Sequence, residues 1–119
     1  MKKLACVLLL AIALPAAAAD CVYPRTPTRL PDGNTATREE MVAGKKAVDA
    51  YIAEMNTYLD CIKAEHDTTL AAKASATEDE KKAISVRFVQ KNDAAVDEQQ
   101  DVAARFNEQL RVFKARTAK

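Results

Sequence analysis

The residues that break regular structure are crowded at one end of this chain. Pro24, Pro27 and Pro31 fall within eight residues, and beyond Pro31 there is no further proline and no glycine except Gly33 and Gly44. Sandwiches and barrels need turns every few residues, so a chain this poor in turn formers cannot build one. What remains is long helix, with a short non-helical segment in front of it. With 119 residues the chain has room for one small domain. Its charge is close to balanced, 18 basic against 17 acidic residues, which excludes a strongly cationic nucleic-acid binder.

The first 19 residues read as a secretory signal peptide. Lys2 and Lys3 form the positive start, and Leu4 to Leu14 is an uncharged apolar run of 11 residues. That run is too short for a spanning helix, which needs about 20 apolar residues. Ala17 and Ala19 fit the small-residue pattern before a cleavage site, so Asp20 is expected to begin the exported product. Asp20 in front of Cys21 argues against lipoprotein processing, which needs a small residue there. Export predicts a periplasmic or secreted protein with no membrane attachment once the leader is gone. It also removes Cys6 and leaves Cys21 and Cys61, most simply a structural disulfide in an oxidising compartment.

Residues 20–36 are expected to form an extended, proline-rich arm with a turn at Pro31-Asp32-Gly33-Asn34. Two capping boxes follow, Thr37-Arg38-Glu39-Glu40 and Thr77-Glu78-Asp79-Glu80. In each the threonine oxygen caps an N–H three residues on, and the glutamate reaches back. They predict helices over about 37–72 and 77–117, within a hairpin domain spanning 37–119. One apolar face runs through Val48, Ile52, Met55, Leu59 and Ile62, the other through Ile84, Phe88, Ala95, Val102, Phe106, Leu110 and Phe113. The connection is short, so the helices are antiparallel, with coiled-coil spacing along the seam. Pairing Ile62 with Phe88, Met55 with Ala95, Val48 with Val102 and Gly44 with Phe106 keeps the summed residue numbers constant, as an antiparallel register requires. Gly44 is expected to leave room for the Phe106 ring.

The fold class that follows is all-α: an antiparallel two-helix hairpin whose extended N-terminal arm is stapled to the first helix by Cys21–Cys61. The reach allows it. Cys61 lies about 36 Å along the helix from Thr37, and the arm can extend about 50 Å. The strip the arm would cover is Ala47, Tyr51, Glu54, Tyr58 and Cys61.

Cys21-x-Tyr23-Pro24, Pro31-Asp32-Gly33-x-Thr35-Ala36-Thr37, Glu40-Met41 and Val48-x-x-Tyr51-Ile52-x-x-Met55-x-x-Tyr58-Leu59-x-Cys61 are motifs of some specificity. Over residues 21–61 the chain resembles a group of small exported proteins of Gram-negative bacteria with no assigned function. The resemblance implies a secreted helical hairpin with one disulfide, and it carries over no catalytic residue.

The residues specify no catalytic set, no cofactor motif and no metal centre. His66 is the only histidine, and it lacks a second ligand at i+3 or i+4, the spacing zinc needs. It is read as a seam or hairpin-tip histidine, with Glu65 and Asp67 pointing to other faces. No serine or cysteine is paired with a base at a recognisable spacing. The acidic run at Glu78–Glu80 is a helix cap, because no loop of oxygen ligands surrounds it. Tyr51 and Tyr58 are read first as packing beneath the arm and alternatively as a ligand platform. Asn92 and Gln99 are polar within an apolar face, a pattern that fixes register, and they are candidates to bond the Tyr51 or Tyr58 hydroxyls. Val89 and Val96 widen the apolar stripe of the second helix beyond what one partner helix covers. A homodimer or a periplasmic protein partner is therefore expected. The function predicted is a non-enzymatic interaction or structural module, with a small-ligand-binding protein using a tyrosine-lined groove as the alternative.

Overall fold

The computed structural model describes residues 20–118. The expected signal peptide, residues 1–19 with Ala19 of the expected cleavage site, lies outside the described residues. The chain forms α1 (Arg38–Ala72) and α2 (Glu78–Thr117), packed antiparallel, with the arm in front. No helix among the described residues is long and apolar enough to cross a membrane.

Both helices begin where their caps dictate. The Thr37 hydroxyl accepts from the Glu40 N–H at 3.2 Å, and the Glu40 carboxylate accepts from the Thr37 N–H at 2.7 Å. Thr77 and Glu80 repeat the exchange at 3.2 and 2.9 Å. Each box satisfies two donors that the first turn would otherwise leave unpaired. α1 ends where the Lys73 N–H turns back to the Thr69 and Leu70 carbonyls, and a few residues later Thr77 opens α2.

The core is lopsided. α1 buries Met41, Gly44, Val48, Tyr51, Met55, Tyr58 and Ile62, whereas α2 fully buries only Ala95, Val102 and Phe106. Phe88, Leu110 and Phe113 pack against this core while staying partly exposed. Gly44 does make room for Phe106, whose ring would stand 3.3 Å from an added Cβ. The notch has a second and closer tenant, the Pro31 ring, at 2.6 Å.

The arm is bonded to α1 through Cys21–Cys61, with the two Cα atoms 5.6 Å apart. Its path differs from the expected one. Tyr51 and Tyr58 are buried, yet Ala47 and Glu54 of the expected strip stay exposed. The arm lies over the groove between the helices rather than along α1 alone, and its polar contacts are with α2. The reason is physical. An extended chain cannot pair with helix backbone, whose N–H and C=O groups are already used, so its polar groups need long side chains. Those come from α2: the Gly33 N–H donates to Gln109 Oε1 at 2.8 Å, and Arg116 donates to the Gly33 and Ala36 carbonyls at 3.0 and 2.5 Å. The expected turn is present. Asp32 accepts from the Thr35 and Ala36 N–H groups through its carbonyl and from the Asn34 N–H through its side chain.

Candidate functional site

Three side-chain groupings stand out, and each joins residues distant in sequence. The first lies under the arm. Tyr23 stacks edge-on against Tyr58 with ring centroids 4.9 Å apart, and its hydroxyl donates to Glu98 at 2.5 Å. Thr26 donates to the other oxygen of the same carboxylate. These hydroxyls hold the Glu98 carboxyl below its ordinary range, Thr26 first and Tyr23 second. Tyr23 is pushed well above the usual tyrosine range by desolvation and then by Glu98. The Tyr51 hydroxyl is buried without a partner in bonding geometry, beside Thr26 and Glu98, and its burial raises its pKa. The knot fastens the arm to α2 through one carboxylate.

The second grouping is centred on His66. Its ring lies against Phe88, centroids 4.6 Å apart, with Nε2 3.2 Å from Ser85 Oγ and Nδ1 3.3 Å from Asp67 Oδ1. The expectation that Asp67 turns away is corrected. One residue along a helix is far in angle, but an aspartate is short enough to fold back onto the neighbouring ring. The Asp67 carboxyl is lowered by Lys63 first and by His66 second. The order Asp67–His66–Ser85 is that of a proton relay, and sequence spacing could not reveal it because Ser85 comes from the other helix. Ser85 stands inside α2, where backbone N–H groups are taken by the helix, so no pair of backbone donors is free beside its oxygen, and the cations nearby are the side chains of Arg87 and Lys91. The adjoining cavity, lined by Ile62, Glu65, Phe88 and Lys91 among others, holds about 90 Å³, room for a few waters.

The third grouping is on the face opposite the arm. Gln99 donates to Asn56 Oδ1 at 3.1 Å. Gln99 therefore does not reach Tyr51 or Tyr58, as the sequence suggested, because the tyrosines lean toward the arm and Gln99 toward the other side. Asn92, two turns from Gln99 along α2, shares that side and is half-buried. The four candidate residues thus divide between two faces and do not line one groove. Around Asn92 and Gln99 runs a row with no charge, Ser85, Val89, Asn92, Val96, Gln99 and Ala103, of which Val89 is 49% exposed. Its 3–4 spacing is that of a packing seam.

Sequence reasoning missed Glu98, Gln109 and Arg116. Each is one polar residue among many on α2, and only the arm's path singles them out. Among the described residues no group of three His, Cys, Asp or Glu side chains is placed to hold a metal ion. Comparisons with protein-family models, curated proteins and solved structures find no match to the chain.

Proposed function

We propose that the protein is an exported, non-enzymatic helical module that works by holding another protein in the periplasm or outside a Gram-negative cell, its partner being a second copy or a different exported chain. The observation that carries this reading is the sidedness of the hairpin. One face is covered by the arm and fastened through Glu98, Gln109 and Arg116, while the other presents the uncharged row along α2. An uncovered seam-spaced row suits a partner helix. Export is supported by the Lys2-Lys3 start, the apolar run and Ala17-x-Ala19, and by a disulfide of the kind that persists in oxidising compartments. The alternative of a small-molecule groove at Tyr51 and Tyr58 is the weaker one, because the arm already occupies that space.

A photo-cross-linking side chain placed at Val96, and separately at exposed Glu54, tests the reading in cells. Adducts of defined mass are expected from Val96 and not from Glu54, on a product whose mass begins at Asp20. Failure of Val96 to form any adduct overturns the module, and a product retaining Met1 overturns export.

A further inference from the structure

The uncovered face carries a second pattern, and it lies on α1. Lys45, Asp49, Ile52, Asn56, Leu59, Lys63 and Asp67 recur every three or four residues on the side turned away from the arm. Within the chain, Lys45 pairs with Asp49 at 2.6 Å and Lys63 with Asp67 at 2.9 Å. Read backwards, the row gives Asp, Lys, Leu, Asn, Ile, Asp, Lys. It is its own complement: charge meets opposite charge, branched aliphatic meets branched aliphatic, and asparagine meets asparagine. Laid antiparallel on a copy of itself, Lys45 faces Asp67, Asp49 faces Lys63, Ile52 faces Leu59, and Asn56 faces Asn56.

Self-complementarity about a centre is what an isologous two-fold interface requires. The centre can be checked against α2. Its uncharged row maps onto itself about the point midway between Asn92 and Val96: Ser85 falls on Ala103, Val89 on Gln99, and Asn92 on Val96. In the register that Gly44 shares with Phe106, that point is level with Asn56. One axis therefore serves both helices, and it passes close to the middle of α1 (Arg38–Ala72), so nearly the whole hairpin overlaps its copy.

We infer that two copies pair through this face, α1 on α1 and α2 on α2, all four neighbouring helices antiparallel, with Asn56 on the two-fold axis. The inference rests on the interaction-module reading and names its partner. The footprint is sufficient: about 50 Å of overlap across two helices some 10 Å apart is about 1,000 Å² per copy, against the ~800 Å² per partner of a standard interface. Salt bridges flank the apolar centre at both ends, and amides at the axis set the register, as polar seam residues do in coiled coils. The arm lies on the opposite face and stays clear.

The charge pattern supplies a decisive experiment on the purified exported protein at low salt, read by sedimentation. The wild type sediments as a dimer. Asp49→Lys places lysine against Lys63 twice per dimer, and Lys63→Asp places aspartate against Asp49 twice, so each variant alone weakens pairing about 10- to 100-fold. Mixed in equal amounts, the two variants pair with each other, because each like-charge contact becomes an opposite-charge one. Asn56→Cys cross-links to its own copy under mild oxidation. A wild type monomeric at all concentrations, variants that dimerise like wild type, a mixture that stays monomeric, or an Asn56→Cys dimer that does not cross-link each overturns the inference. A monomer that still cross-links to a different protein at Val96 refutes self-pairing alone, whereas loss of every Val96 adduct refutes the module reading itself.

Discussion

Replacing Gly33 by alanine is expected to detach the arm's turn from α2. Glycine is needed there for closeness, since no described glycine has positive φ. An added Cβ would stand 2.9 Å from the Phe113 nitrogen and from Val112 Cβ, and closer still to the Gln109 carbonyl oxygen. Two of the three are helix backbone, which cannot give way, so the turn must lift. Lifting breaks the Gly33 N–H bond to Gln109 and both Arg116 bonds to arm carbonyls. At about 1 kcal/mol net for each, these lose about 3 kcal/mol. Uncovering the Ala36 methyl, now 6% exposed, adds about 0.8 kcal/mol. Alanine returns about 0.4–1 kcal/mol by restricting the unfolded chain. The net expectation is about 3 kcal/mol of destabilisation, measured by urea unfolding followed by helix circular dichroism, with faster amide exchange over residues 30–36. Gly44→Ala is the comparator. Its Cβ meets side-chain atoms of Pro31 and Phe106 and gains about 1 kcal/mol of helix propensity, so its loss should be smaller. A Gly33→Ala protein as stable as wild type would refute the argument from close approach.

Four further outcomes are expected. Cys61→Ser, which opens a bridge between residues 40 apart, should cost about 4 kcal/mol on the loop-entropy account and release residues 20–30 to proteolysis. Because the Glu98 carboxyl is lowered in the folded protein, its contribution is full above the ordinary glutamate pKa and is lost as pH falls through the lowered value. Arm protection from amide exchange should drop over that acidic window in the wild type, with a shallower pH dependence in Glu98→Gln. Val89→Lys with Val96→Lys should abolish self-association in sedimentation while leaving the helical content unchanged. A fluorophosphonate probe should leave Ser85 unlabelled at neutral pH, by mass spectrometry, because α2 uses the backbone N–H groups that would form an oxyanion hole beside it; labelling would overturn the non-enzymatic reading.

The helices were legible in the sequence because their signals are local. Thr37 with Glu40 and Thr77 with Glu80 are complete instructions within four residues, and the apolar spacing needs nothing beyond its own helix. The turn at Asp32 was legible for the same reason. The disulfide needed one further step, the expectation that cleavage of the leader takes away Cys6 and leaves two cysteines to pair. The arm's resting place was not legible. It depends on which α2 side chains can satisfy an extended backbone, and Gln109 or Arg116 looks no different in the sequence from Gln100 or Arg105. The proximity of Tyr51 to the arm could be read, but the handing of Tyr23 and Thr26 to a single carboxylate on α2 could not. Gln99 is legible as out of place on an apolar face, yet its partner Asn56 comes from the other helix and depends on which way that face leans.

The position of Cys21 also governs how the molecule would bear tension. A pull applied at Asp20 passes after one residue into the Cys21–Cys61 bond and emerges within α1, bypassing everything between. Residues 22–60 carry none of the load, and the Glu98, Gln109 and Arg116 contacts cannot be peeled in sequence from that end. The bridge conceals roughly 130 Å of extendable chain. Stretched between Asp20 and its far end, the oxidised protein would yield only the contour beyond Cys61, and the hidden length would appear in a single increment when the bond is reduced.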